Sequence, residues 1–153
     1  MADDLVLLEK IDVEDGTGFA EIVINRPERR NALIPEAAEG VISALEDIDQ
    51  DDKMAAVILR GEGGYFCSGI DLKALQSATS TGHARKDAIR HMHLAFYHFR
   101  KPVIAAFEGF GINAGCALAL ACDLVVAGES SFIQIGEIQQ GAPIPMNAAW
   151  MRL

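Results

Sequence analysis

Two runs made only of apolar residues, Ala55-Ala56-Val57-Ile58-Leu59 and Val103-Ile104-Ala105-Ala106-Phe107, constrain this chain most. Each is of strand length and each gives way to glycines, at 61, 63 and 64 in one case and at 109 and 111 in the other. A strand without polar alternation has no face to offer water. Such strands belong in a sheet covered on both sides, the usual setting of parallel strands. A hairpin precedes them, with strands from Leu5 to Ile11 and Gly18 to Ile24 and Asp15-Gly16-Thr17-Gly18 as its turn. Asn25-Arg26-Pro27 breaks the second strand. From Pro35 to Ile48 the residues Ala38, Val41, Ile42, Leu45 and Ile48 share one helical face, with Pro35 where a first turn tolerates proline.

A basic helix is expected from about Gly82 to Phe99, stopped before Pro102, and a small-residue helix ends at Ala121. Leu124-Val125-Val126 and Phe132 to Ile135 read as short strands. Strands alternating with helices make this an α/β domain with a largely parallel sheet. No repeat, linker or low-complexity tract divides it, and 153 residues can bury a real core. Met146 to Leu153 reads as a helix that starts and runs out of chain, which suggests a fragment.

The net charge of −9 is not spread evenly. Residues 1–60 carry 15 acids against 6 bases, and residues 61–153 carry 7 of each. An acidic chain lacks the basic field that non-specific nucleic-acid binding requires. One basic stretch, from Lys73 to Lys101, offers either a local anion contact or a solvated helix face. No apolar run reaches the ~18 residues of a membrane span. The acidic start, Met-Ala-Asp-Asp, is unlike a secretory or mitochondrial leader, so a soluble cytoplasmic protein is expected. Cys67, Cys116 and Cys122 form no CxxC pair, as suits reduced thiols. His91 and His98 share a helix face that His93 does not, and no metal site is expected.

Three segments in order resemble the enoyl-CoA hydratase/isomerase (crotonase) superfamily. They are Asn25-Arg-Pro-Glu-Arg-Arg-Asn-Ala-Leu33, Val57 through Ser68-Gly69-Ile70-Asp71-Leu72, and Lys101 through Gly109 to Gly115-Cys-Ala-Leu-Ala-Leu-Ala-Cys-Asp123. The resemblance runs from residue 5 to 145 and implies a crotonase-like fold of stacked ββα units, here a single core over 5–153 without the family's C-terminal helices. It also implies chemistry through the enolate-like anion of a CoA thioester, which needs two backbone N–H groups aimed at the thioester oxygen. By resemblance these are the N–H groups of Ile70 and Ala114, the latter at a helix start that favours negative charge. The plain alternative is a pair of ordinary strand-to-helix turns.

Departures from the family pattern narrow the reaction. Asn113 is the first of three residues that are usually small, and Ala114 replaces a usual glycine. The position of the first hydratase glutamate is Ala117, which can neither take nor give a proton. Anchoring on Glu-x-x-x-Gly places the second at Glu137, before Gly141, with a one-residue shift. Pro145 stands where hydratases have glycine and resembles the Δ3,Δ2-enoyl-CoA isomerase branch. Hydration commonly shares its proton transfers between two carboxylates, whereas moving a double bond needs one base. Isomerisation through Glu137, whose neighbours Ile135 and Ile138 would raise its pKa, is therefore expected ahead of hydration. The alternative for Glu137 is a carboxylate capping a loop or paired with an arginine.

The resemblance further implies that Arg29, Arg30 and Lys73 meet the CoA phosphates and adenine, with backbone near Ala32 and Ser68 at the same mouth. The CoA thioester is substrate, and no cofactor or metal is implied. A homotrimer or dimer of trimers is the family's usual assembly. Cys67 reads as a packing residue, Asp71 as fixing a turn or capping the next helix, and His91, His93 and His98 as packing or surface residues, with an approach to the acyl chain as the alternative. Two rival readings remain. Gly109-x-Gly111-x-x-Ala114 with Glu129 outlines a dinucleotide fingerprint, and the loss at Ala117 would also suit a CoA-binding or assembly module without chemistry.

Overall fold

The computed structural model describes residues 4–13, 16–77 and 83–151. Strands β1 (Val6–Asp12) and β2 (Gly18–Ile24) form the expected antiparallel hairpin, with Val6 opposite Ile24 and Asp12 opposite Gly18. Asp15 of the expected turn lies outside the described residues, as do Gly82 and Leu153 at the expected helix limits. Strands β3 (Met54–Gly61), β4 (Val103–Phe107) and β6 (Leu124–Ala127) add to β2 in parallel, giving the order β1-β2-β3-β4-β6. A second, two-stranded parallel sheet pairs β5 (Phe110–Ile112) with β7 (Phe132–Gln134). The architecture is α/β with a mostly parallel sheet.

Helices α1 (Pro35–Asp49) and α3 (His83–His98) cover one face of the larger sheet. Val41, Leu45 and Ile48 of α1 meet Ile89, Met92 and Phe96 of α3 over Ile22, Val57, Leu59 and Val103. Each large apolar side chain so enclosed contributes about 1.5–3 kcal/mol by leaving water. The opposite face departs from the expectation of two-sided cover: Ile58, Ile104 and Ala106 are only half-buried, and β6 is exposed along its length. In β3 and β4 the apolar run therefore conceals an alternation of burial that composition cannot show.

Of the shorter helices, α4 (Ala114–Leu120) packs on β5 and α5 (Pro145–Trp150) on α4, while α2 (Leu72–Ser77) follows β3 and was not expected from apolar periodicity. Two cations of the basic stretch, Arg100 and Lys101, are engaged by the acidic C-terminus of α1. Lys101 Nζ donates to Ile48 O and Asp51 O, both at 2.6 Å, and Arg100 binds Asp49 through Nε at 3.1 Å. These cations satisfy carbonyls and charge that a helix end leaves exposed. Among the described residues no helix is long and apolar enough to cross a membrane.

Candidate functional site

The first resembling segment is locked to the second by side chains that no periodicity marks. Arg30 and Asn31 adopt left-handed backbone, with φ of 52° and 56°. Asn31 is fully buried; its Oδ1 accepts from Arg26 N at 3.0 Å, and its Nδ2 donates to Glu62 O at 2.8 Å and Tyr65 O at 2.6 Å. Arg26, also buried, donates to Ala32 O and, at 3.2 Å, to Asp71 Oδ2. This clamp brings Leu33 beside the bend at 68–71. Leu33 N donates to Gly69 O at 2.7 Å and Asp71 N to Leu33 O at 2.9 Å. Strand geometry then turns the N–H of the intervening Ile70 away from Leu33, and among the described residues no acceptor takes it.

The second bend is pressed against the first. Cys67 N donates to Phe110 O at 3.1 Å and Ile112 N to Cys67 O at 3.0 Å, so the second sheet continues through this bridge. Gly115 is required by that approach, because a methyl there would stand 2.2 Å from Cys67 O. Gly69 has φ +97°, and a methyl on it would stand 2.8 Å from Ile112 O and 3.7 Å from Ala114 N. The turn ahead of Ile70 thus touches the first residue of α4. As that first residue, Ala114 has no intrahelical acceptor for its N–H, and none elsewhere among the described residues takes it.

Asn113, immediately before α4, has φ 55° and ψ −113°, a conformation suited to glycine. Its bonds offset the strain: Asn113 Oδ1 accepts from Gly136 N at 2.7 Å, Asn113 N donates to Gln134 O at 2.8 Å, and Asn113 O accepts from Asn147 Nδ2 at 3.1 Å. The segment carrying Glu137 is thereby fixed to the start of α4. Glu137 lies in the 3-10 turn Gly136–Gln140, partly exposed, with Oε2 buried and without a partner among the described residues. Burial raises the Cys116 thiol pKa, and the nearby Glu137 charge raises it further. Ala117, one residue on, is wholly buried and brings no ionisable group.

A cavity of about 760 Å³ opens from Ile70, walled by Leu33, by Ile89 and His93 of α3, and by Met146 and Trp150 of α5. Neither Ala114 nor Glu137 lines it, so the two bends meet at its edge rather than within it. Asp71 borders the cavity with its carboxylate already engaged. Oδ1 caps α2 by accepting from Ala74 N at 3.1 Å, and the Ala74 amide, aided by Arg26, holds the carboxyl below the usual carboxylate range. It is a cap and ion-pair partner, and both expected structural roles apply. Cys67 is enclosed, with its thiol pushed up to about 12 by burial, which leaves it inert as a nucleophile.

The candidate CoA-contacting residues cluster at the outer side of the first bend. Arg29 and Arg30 are exposed, and Lys73 is exposed on α2. Ser68 holds the backbone of the two arginines: its Oγ donates to Arg29 O at 3.3 Å and its N to Arg30 O at 3.0 Å. Ala32 is 8% exposed, with its N–H given to Arg29 O and its carbonyl accepting from Arg26. His91 and His98 are exposed, whereas His93 is buried in the cavity wall. The dinucleotide outline fails on geometry, because Gly111 sits inside β5 of a separate sheet instead of in a strand-to-helix turn. Among the described residues no cluster of His, Cys, Asp or Glu could hold a metal. The clamp roles of Arg26 and Asn31 carry no sequence signal, and Asn113 was marked only as a departure from the family pattern, although asparagine before a small-residue helix is a signal for positive φ.

The chain is 36% identical over 140 residues to enoyl-CoA hydratase EchA19 of Mycobacterium tuberculosis, covering 86% of this chain and 51% of that protein. It is 34% identical over 144 residues to the peroxisomal Delta(3,5)-Delta(2,4)-dienoyl-CoA isomerase of Arabidopsis thaliana, covering 86% and 52%. The solved enoyl-CoA hydratase of Mycobacterium smegmatis superposes with a TM-score of 0.83 at 28% identity, over 98% of this chain and 58% of that one. The chain spans about half the length of the curated relatives it matches. The model of the enoyl-CoA hydratase/isomerase family matches residues 14–152, over the same bends that meet at Ile70 and Ala114, and the chain belongs to that family.

Proposed function

We propose that this chain acts on enoyl-CoA thioesters as a single-base double-bond isomerase. The thioester oxygen sits between the N–H groups of Ile70 and Ala114, and the Glu137 carboxylate takes a proton from carbon 2 of a 3-enoyl substrate. The electron pair released moves onto the thioester oxygen, where two preorganised donors stabilise it; loss of one such donor typically costs roughly 3–4 kcal/mol of barrier. Collapse of the enolate returns the same proton to carbon 4, leaving the 2-enoyl product and Glu137 ionised again. Arg29, Arg30 and Lys73 meet the CoA phosphates, with Ser68 and Ala32 shaping that mouth, and the CoA thioester is the substrate. Assembly into a homotrimer or a dimer of trimers belongs to the same reading, and sedimentation checks it.

The observation that carries this reading is the contact of the two bends with both N–H groups unengaged, beside one carboxylate at Glu137 and none at Ala117. A second reading, hydration, is favoured by the hydratase names among the relatives. One assay separates them. The protein is offered a 3-enoyl-CoA and a 2-enoyl-CoA in parallel, with the conjugated thioester followed by absorbance. Formation of the 2-enoyl product without its hydration, abolished in Glu137→Gln, is the expected result. Rapid hydration of the 2-enoyl substrate would refute isomerisation, and thioester binding with no turnover of either would favour a non-catalytic module.

A further inference from the structure

Among the described residues, His93 is the one buried polar side chain that α3 sets in the cavity wall, 7% exposed, and its protonation state can be read from its partner. Trp150 Nε1 lies 3.0 Å from His93 Nδ1. An indole nitrogen only donates, so Nδ1 must carry a lone pair and the ring must be neutral, with its proton on Nε2. Burial acts in the same direction, pulling the pKa down to about 4. The remaining Nε2–H is buried and has no acceptor among the described residues. An enclosed donor without an acceptor is disfavoured, and the surrounding wall, with Leu33, Ile89, Leu94 and Met146, supplies none from its apolar side chains. Asp71 and Asp87 border the same cavity, but the hydrogen bonds of Asp71 go to Ala74 and Arg26, and Asp87 Oδ1 accepts from Arg90 at 3.4 Å.

We infer that His93 is a specificity-determining residue whose Nε2–H receives an oxygen acceptor, a keto or hydroxyl group, on the acyl chain of the bound thioester. The inference rests on the acyl-CoA reading above and adds the substrate class. A purely aliphatic chain would leave the donor unpaired beneath an apolar wall, whereas an oxygen at the matching depth completes its bonding. The unbranched side chain of Met146 stands on the same wall and can shift to admit the oxygen. The geometry also separates His93 from proton transfer, since Trp150 holds Nδ1 and the assigned base is Glu137.

Binding, measured by titration calorimetry, tests this without requiring turnover. The probes are octanoyl-CoA and a set of isosteres in which successive methylenes beyond the reacting carbons are replaced by a keto carbon. The intact chain should bind at least one keto isostere about tenfold more tightly than octanoyl-CoA, the scale of one well-made buried hydrogen bond. His93→Phe should erase that preference without weakening octanoyl-CoA, and His93→Gln, which keeps an N–H donor, should retain part of it. Nitrogen NMR should show the Nε2–H tautomer before ligand is added. Equal binding of every probe, a preference that survives His93→Phe, or the Nδ1–H tautomer would overturn the inference. Failure of every thioester to bind would overturn it together with the acyl-CoA reading. A His93-dependent preference in a chain that turns over no enoyl-CoA would uphold the inference and remove only the isomerase.

Discussion

Acidification should weaken the fold through His93 before the carboxylates contribute. The imidazole pKa falls from 6.5 to about 4 on burial, so the unfolded chain binds a proton in an interval where the folded chain does not. Stability then rises with pH wherever the unfolded state holds more protons. The contribution is therefore fully present above pH 6.5, declines as the pH falls, and is exhausted near pH 4. That interval, at 1.36 kcal/mol per pH unit, corresponds to about 3 kcal/mol, a sizeable share of a typical domain's stability. Asp71 and Asp87, which border the same cavity, would moderate the loss by favouring the cation, and Arg90 would oppose them. Urea unfolding at half-unit steps between pH 4 and 7.5, on the intact chain and His93→Gln, gives the difference directly. The glutamine keeps an acceptor for Trp150 Nε1 and does not titrate. The two stability curves should diverge by approximately one proton's slope across the interval. Parallel curves would refute the reasoning, because an imidazole that stays neutral in the fold down to about pH 4 must carry this linkage.

Other perturbations probe the scaffold. Gly115→Ala places a methyl 2.2 Å from Cys67 O and should lower stability by about 1–3 kcal/mol; turnover should fall further than the melting shift explains, as the two bends separate. Asp71→Asn leaves the buried Arg26 without its countercharge and should cost roughly 3 kcal/mol in denaturant unfolding. Because the folded pKa of Asp71 is depressed, its contribution is present above the normal carboxylate range and lost as pH falls below it, so the variant should show a shallower acid limb. Lys101→Met removes the donor to Ile48 O and Asp51 O and should cost about 1–2 kcal/mol, with faster amide exchange in the last turn of α1.

Much of the scaffold was legible because apolar runs and caps announce themselves. Pro35 opens α1 where expected, and the hairpin register follows from the alternation of β2, whose Ala20, Ile22 and Ile24 all face the core. The two bends were legible through glycine, since Gly69 and Gly115 stand where any side chain would meet backbone. What escaped were features set by long-range partners. Phe110-Gly111-Ile112 is a strand only because Cys67 and β7 pair with it, and three residues with a glycine at their centre carry no period of their own. Arg26 reads as a surface arginine until Asp71, forty-five positions away, is seen to hold it. His93 was placed correctly among packing residues, but its neighbour Trp150 and hence its tautomer depend on the docking of α5, which helical spacing within α3 cannot reveal.

Ile70 faces two directions with different atoms. Its amide turns away from Leu33 and meets no acceptor among the described residues, while the residue also borders the cavity. Every amino acid except proline supplies the same amide, so exchange of Ile70 for a smaller or bulkier residue would recontour the wall while preserving the donor. Under the proposed reading, selectivity can drift at this position as an almost independent variable, with the donor insulated from that drift by the backbone itself.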